Sequence, residues 1–200
     1  SNTAASVVSI VLIFVFWGAF TGSKLLPGFL HMPGPYVGES SFTYTATDGT
    51  RTDDARVSVV VFPLGAEVAD PVVDPGEGFA KNDAIAVAAY RSKLLRVDQN
   101  DELGREDGVT ITAVNGVPIS PDNPVKTDFG TVSMSPKGTL NVAPAKGIQM
   151  EPIWLPAPEA VWARLVDISR DGYRNSTLLE HLSYSLFRVV VGFLLGAIVG

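Results

Sequence analysis

Two hundred residues hold 21 acidic and 15 basic side chains, net charge −6, and no cysteine. That composition excludes a disulfide framework, thiolate metal centres and cysteine nucleophiles, and its acidic balance argues against nucleic acid as a partner. Hydrophobic residues make up 46% of the chain, at a mean hydropathy of +0.23, but they gather at its two ends. Between Glu39 and Glu151 stand 17 acidic and 10 basic residues, net −7, which leaves +1 for the flanks.

In chain order, Ala4 to Gly22 carries no charge and approaches the roughly 20 residues that cross about 30 Å of hydrocarbon. It lacks a basic leader and an A-x-A-like cleavage site, so residues 1–23 are read as a retained membrane span rather than a signal peptide. A proline- and glycine-rich linker, 24–35, follows, in which His31 stands alone among polar and apolar neighbours. Ser40 to Thr47 alternates with aromatics at Phe42 and Tyr44, Asp48-Gly49 supplies a turn, and Ala55 to Phe62 alternates again, which predicts a β-hairpin. Residues 63–78 read as an acidic surface loop. Short β-branched runs then recur at 83–90, 93–97, 109–114, 130–135 and 139–143, separated by turn signals such as Asn115-Gly116 and Pro136-Lys137-Gly138. Short strands at such spacing predict a sandwich over residues 36–150.

Within that region Asp98, Asn100, Asp101, Glu102, Glu106 and Asp107 crowd one loop. Two readings stand: calcium held by the oxygens of Asp98, Asn100, Asp101 and Asp107, or a solvated acidic turn; the spacing fits no EF-hand. Apart from that possible calcium, the chain carries no cofactor signal. It has no Walker A sequence, no G-x-S-x-G and no histidine beside a nucleophile, so it is not expected to be an enzyme.

Residues 151–177 change character. In Leu155-Pro156-Ala157-Pro158 neither residue preceding a proline favours the helical region, whereas Pro158 suits the first turn of a helix. From there Val161, Leu165 and Ile168, widened by Trp162 and Val166, oppose Arg164, Asp167 and Arg170, the pattern of a helix resting on an apolar surface. Asp171-Gly172 ends it. Residues 178–200 then read as the start of a second span, with Gly192, Gly196 and Gly200 at a spacing that allows close helix approach in lipid. Arg188 lies about two turns inside it, either structural or gating within a protein interior, or snorkelling to the headgroups.

The segments Leu155-Pro156-Ala157-Pro158-Glu159-Ala160-Val161-Trp162, Asp171-Gly172-Tyr173 and Leu178 through Phe193 together resemble the permease subunits of bacterial ABC importers of the taurine, alkanesulfonate and nitrate type. The likeness is close over the last quarter of the chain and looser over Ala5 to Leu30. It implies a multi-pass protein of the bacterial inner membrane, with a cytoplasmic N-terminus and the β domain in the periplasm. It further implies a second permease subunit (a homodimer), an ATP-binding subunit that hydrolyses ATP, and a periplasmic solute-binding protein as partners, besides membrane lipid. Pro156, Pro158, Trp162 and Arg188 would be its structural or gating residues.

The middle resembles the cadherin-like and immunoglobulin-like repeats of bacterial surface proteins, on Val109 to Gly116, Gly130-Thr131-Val132, Pro136 to Leu140 and Ser41 to Gly49. In those repeats the last of these pieces follows the others, whereas here it comes first. The expected fold is therefore a membrane α-helical permease fragment with an inserted all-β domain, a circularly permuted immunoglobulin/cadherin-like sandwich in which Tyr36 and Gly147 lie close together. Two partial repeats are the rival arrangement, and a membrane-anchored adhesion module the rival function.

Overall fold

The computed structural model describes residues 2–174 and 176–199, the side chains of Asn2 and Val199 excepted. It divides into two compact units, one made of the chain up to residue 32 and from residue 150 onward, the other of residues 33–149.

The first unit is helical. Helix α1 (Asn2–Thr21) is apolar on all sides, as the uncharged run from Ala4 dictates. The linker holds one short 3₁₀ turn, Gly28–Leu30, where none was expected. Helix α2 (Pro158–Asp171) begins at the expected proline, with Ala157 in the extended conformation that a residue before proline favours, and stops at Gly172, whose φ of 76° suits glycine. Helix α3 (Leu178–Val199) opens on a capping box: the Thr177 hydroxyl accepts from the Glu180 N–H at 3.2 Å and the Glu180 carboxylate accepts from the Thr177 N–H at 2.8 Å. Helices α1 and α3 are long and apolar enough to cross a membrane, by length and composition. Gly200, third of the expected glycine series, lies outside the described residues; open space surrounds Gly192 and Gly196.

The second unit is a two-sheet β domain. One sheet has the order β3-β2-β1-β5-β6 and the other β4-β9-β8-β7. The first comprises β1 (Gly38–Thr47), β2 (Thr52–Phe62), β3 (Asp83–Ala88), β5 (Thr110–Val114) and β6 (Val117–Pro118); the second comprises β4 (Lys93–Leu95), β7 (Val125–Thr127), β8 (Gly130–Met134) and β9 (Leu140–Pro144). Strands β1 and β2 pair antiparallel in one register from Gly38↔Val61 to Thr47↔Thr52, so the period-two rows Phe42, Tyr44, Ala46 and Val57, Val59, Val61 face inward together. Those rows share a single buried cluster with Ile85, Val114, Phe129, Val132, Leu140 and Val142. The hairpin at 38–62 and the strands of 110–144 thus belong to one body, not to two partial repeats.

Several details depart from expectation. The hairpin turn spans Asp48 to Arg51 rather than Asp48-Gly49 alone. The Asp48 carboxylate accepts from the N–H groups of Thr50 and Arg51 at 2.9 and 2.8 Å, and these hydrogen bonds hold its pKa far below the usual carboxylate range. Strand β3 stops at Ala88 because Tyr90 takes a positive φ of 65°, and the chain after β4 winds into a 3₁₀ turn at Val97–Gln99. Strands β6 and β7, of two and three residues, are too short to leave a periodic signal. The expected turn at Asn115-Gly116 is made by two left-handed residues (φ 49° and 74°), and the asparagine side chain does more: Asn115 Oδ1 accepts from the Thr43 N–H at 2.9 Å, bridging β5 to β1.

The two ends of this domain meet. Tyr36 N–H donates to the Ala145 carbonyl at 2.9 Å, and Ile148 and Gln149 N–H groups donate to the Pro33 carbonyl at 2.7 and 3.1 Å. Tyr36 and Gly147 are therefore neighbours, as expected, although the domain begins at residue 33 rather than 36 and ends at 149. Gly147 has φ 68°, and a Cβ there would collide with the Gly34 carbonyl oxygen. At Gly138, φ 77°, a Cβ would meet open space. Gly138→Ala should therefore cost about 1–2 kcal/mol of left-handed strain, and Gly147→Ala clearly more, read as separate losses in the urea midpoint of the β-sheet circular dichroism signal. Equal losses would mean that the meeting of the ends carries no packing constraint.

Candidate functional site

In the helical unit the Leu155-Pro156-Ala157-Pro158-Glu159 segment is tied to the end of α1. Proline at the first helical position holds the backbone of α2 ready, and Ala157 has no side chain to cap it. Glu159 in that first turn instead reaches a distant part of the chain: Ser23 Oγ donates to Glu159 Oε2 at 2.6 Å and Lys24 N–H to Oε1 at 2.8 Å. Ser23 is completely buried, and its hydroxyl also accepts from the Leu25 N–H at 3.2 Å. The indole N–H of Trp17 donates to the Pro156 carbonyl at 2.9 Å, and a ring nitrogen of His31 lies 2.9 Å from the Ser23 carbonyl. His31 is thus part of this clasp rather than isolated. Burial pushes the Glu159 carboxyl up, but the hydrogen bonds from Ser23 and Lys24 outweigh it and leave the pKa below the ordinary value.

Of the residues singled out from sequence, Pro156 and Pro158 lie in this clasp. Trp162 does not: it is exposed on α2 beside Val161 and Leu165, an apolar row without protein cover among the described residues. Arg188 lies on the exposed surface of α3. The links of Ser23 to Glu159 and of Trp17 to Pro156 escaped sequence reading because they span 136 and 139 positions with no local pattern.

The acidic loop of the β domain is not a convergent group. Asp101 Oδ1 accepts from the Lys81 N–H at 2.7 Å and the Tyr44 hydroxyl at 3.3 Å; Asn100 Nδ2 donates to the Asn82 carbonyl at 3.0 Å; Asp98 pairs with Arg105 Nε at 3.4 Å. Asp107 turns back to accept from the Gly104 N–H at 2.9 Å, because Arg105–Asp107 forms its own short 3₁₀ turn. Among the described residues no group of three or more acidic or histidine side chains is placed to share a metal ion.

The loop gathers a different neighbour, Asp83 at the start of β3, which sequence reading did not single out. Its Oδ2 is buried without a hydrogen-bond partner, as is Asp98 Oδ1. Burial, then the charges of Asp101 and Asp98 against a hydrogen bond from Asn100, push the Asp83 carboxyl up to about 7. Tyr44 is raised too, by burial and then by the charges of Asp101, Asp83 and Asp53.

Two outcomes follow. Glu159→Ala strands the buried Ser23 hydroxyl, at a cost of about 1–3 kcal/mol, and should speed amide hydrogen exchange over residues 23–26, with Glu159→Gln intermediate; unchanged exchange would show that the clasp does not hold this segment. For Asp83, the folded-state pKa stands above the unfolded one, so its contribution is fully present below about pH 4 and is lost as pH rises through about 7. Discounted for partial exposure, this amounts to about 1 kcal/mol. Asp83→Asn should therefore flatten the fall in urea midpoint between pH 5 and pH 8, and an unaltered slope would assign that fall to other groups.

Comparison of the chain with known protein families, with curated proteins and with solved structures returned no match to any of them.

Proposed function

We propose that this chain is the N-terminal part of a permease subunit of an ABC importer for a small anionic solute such as taurine, another sulfonate or nitrate. What carries the reading is the helical unit: an apolar helix, a proline-started amphipathic helix clasped to its end through Glu159, and a second apolar helix opened by a capping box. Segments of this order suit a span, a helix lying in the headgroup region and a returning span. The exposed row of Val161, Trp162 and Leu165 then enters lipid while Arg164 and Arg170 stay in water. In this reading the protein belongs to the bacterial inner membrane, the β domain is a permuted immunoglobulin/cadherin-like insertion in the first periplasmic loop, and α3 runs back toward the cytoplasm. A second permease subunit, a separate ATP-binding subunit and a solute-binding protein complete the importer.

A second reading, a membrane-anchored adhesion module, draws support from the β domain's own single core. The two separate in one experiment. Disrupting the gene in its source bacterium should abolish growth on an alkanesulfonate as sole sulfur source or on nitrate as sole nitrogen source while leaving surface attachment intact; lost attachment with normal growth on both would favour adhesion. Topology gives an independent check: reporter fusions at Pro75 should be active in the periplasm and at Gly200 in the cytoplasm, and the reverse pattern would exclude the proposed arrangement.

A further inference from the structure

One end of the β-sandwich is hollow. A cavity of about 400 Å³ opens between β1 and β5 of one sheet and the β8–β9 turn of the other, with the 97–109 loop as its wall. That volume lies in the usual range for small-ligand sites. Its floor is apolar and firm: Tyr44, Ala46, Val97 and Val109 are buried, and Ile111 and Met134 half-buried.

The charges around it are unequal in their freedom. Arg105 is spent, since Nε faces Asp98 at 3.4 Å while its two other nitrogens donate to the Lys137 carbonyl at 2.7 Å and to Thr139 Oγ1 at 2.9 Å. In doing so it latches the 97–109 loop to the β8–β9 turn and fixes the cavity's width. Lys137 stands at the exposed rim. The carboxylates Asp98 and Asp101 line the wall, with Asp53 and Asp83 as charged neighbours behind them. Lining charges alone balance, two acids against Arg105 and Lys137, and the pair behind tips the balance to negative. Asp98 Oδ1 is buried without a hydrogen-bond partner. The site thus joins a largely apolar lining to carboxylates backed by further negative charge.

We propose that this cavity binds a small organic cation, an amine with an apolar body, its ammonium against Asp101 and Asp98 and its body on Val97, Val109, Ile111 and Met134. An anion would meet the carboxylates, and a hydrated metal ion would gain nothing from the apolar floor. The ammonium relieves the repulsion among the aspartates, so binding should tighten as pH rises through about 7 and Asp83 loses its proton. The charges that surround Asp83 and Asp101 are Asp53 and Asp98, with Arg105, Lys137 and Lys81 opposed to them, Lys81 being paired with Glu102 at 2.7 Å. The proposal does not depend on the transport reading.

The three methionines provide the test, because Met134 lines the cavity while Met32 and Met150 belong to the helical unit. In the full chain in detergent micelles, labelled at the methionine methyls, titration with benzylammonium at pH 7.5 to about 10 mM should move the Met134 signal saturably and leave the other two in place. Benzyl alcohol and benzoate, with the same ring, should not move it. Asp101→Asn should weaken binding about tenfold. As Asp101 also accepts structural hydrogen bonds, Lys137→Glu at the exposed rim is the second variant, and it should tighten binding about twofold to threefold. No saturable Met134 shift, an equal shift with benzyl alcohol, equal movement of all three methyls, or binding unchanged or weakened by Lys137→Glu would overturn the proposal.

Discussion

The hydrogen bonds from Ile148 and Gln149 to the Pro33 carbonyl are the constraint on which the β domain rests. A segment of more than a hundred residues that leaves and rejoins the same helical unit must bring its two ends together. The entropy lost by closing so long a loop grows only slowly with length. It is offset by one core in which both early and late strands take part, from Phe42 and Val57 to Leu140 and Val142. Gly147 carries the local cost, since only a residue without Cβ both accepts its left-handed backbone and lets the Gly34 carbonyl approach. A helical counterpart exists in the first unit, where Met32 N–H donates to the Ala19 carbonyl at 3.0 Å and Met150 N–H to the Phe20 carbonyl at 2.8 Å. The departing and returning chain are both tied to the last turn of α1.

How legible this was in the sequence depended on the range over which each feature is encoded. Alternation of Phe42 with Tyr44 and of Val57, Val59 and Val61 foretold the β1–β2 hairpin, because strand period and burial act on the same residues. Pro158 and Gly172 marked both ends of α2 because each acts through its own backbone. The meeting of Tyr36 with the 145–147 segment was legible only through the order of family-like pieces, not through any local rule. Strands β6 and β7 were invisible because two or three residues establish no period; they exist because neighbours supply their hydrogen bonds.

The polar features were read least well, and the reason is physical. Density of carboxylates along the chain left two readings open, calcium at Asp98, Asn100, Asp101 and Asp107 or a solvated acidic turn; in the fold a 3₁₀ turn sends Asp107 to its own backbone and Asp98 pairs with Arg105. Proximity in sequence is a poor guide in a loop, where each side chain satisfies the nearest orphaned donor first. Conversely, Asp83 and Asp101 share a charged neighbourhood from different elements, and Ser23 meets Glu159 from opposite ends of the chain. No spacing announces such pairs; they result from burial, which obliges a polar group to find a partner wherever the fold places one.

The parallel pairing of β2 with β3 has a consequence for how the molecule behaves in a crowd. A parallel neighbour needs a long crossover, and residues 63–82 provide it, leaving β3 at the rim of its sheet with backbone donors turned outward. An open rim invites a strand from another chain. Here the crossover itself occupies it: Asp70 accepts from the Ala86 N–H at 2.6 Å and pairs with Lys93 at 2.8 Å, placing a carboxylate and an ammonium where an incoming strand would dock. The same segment that makes the topology possible thus also protects it against edge-to-edge polymerisation.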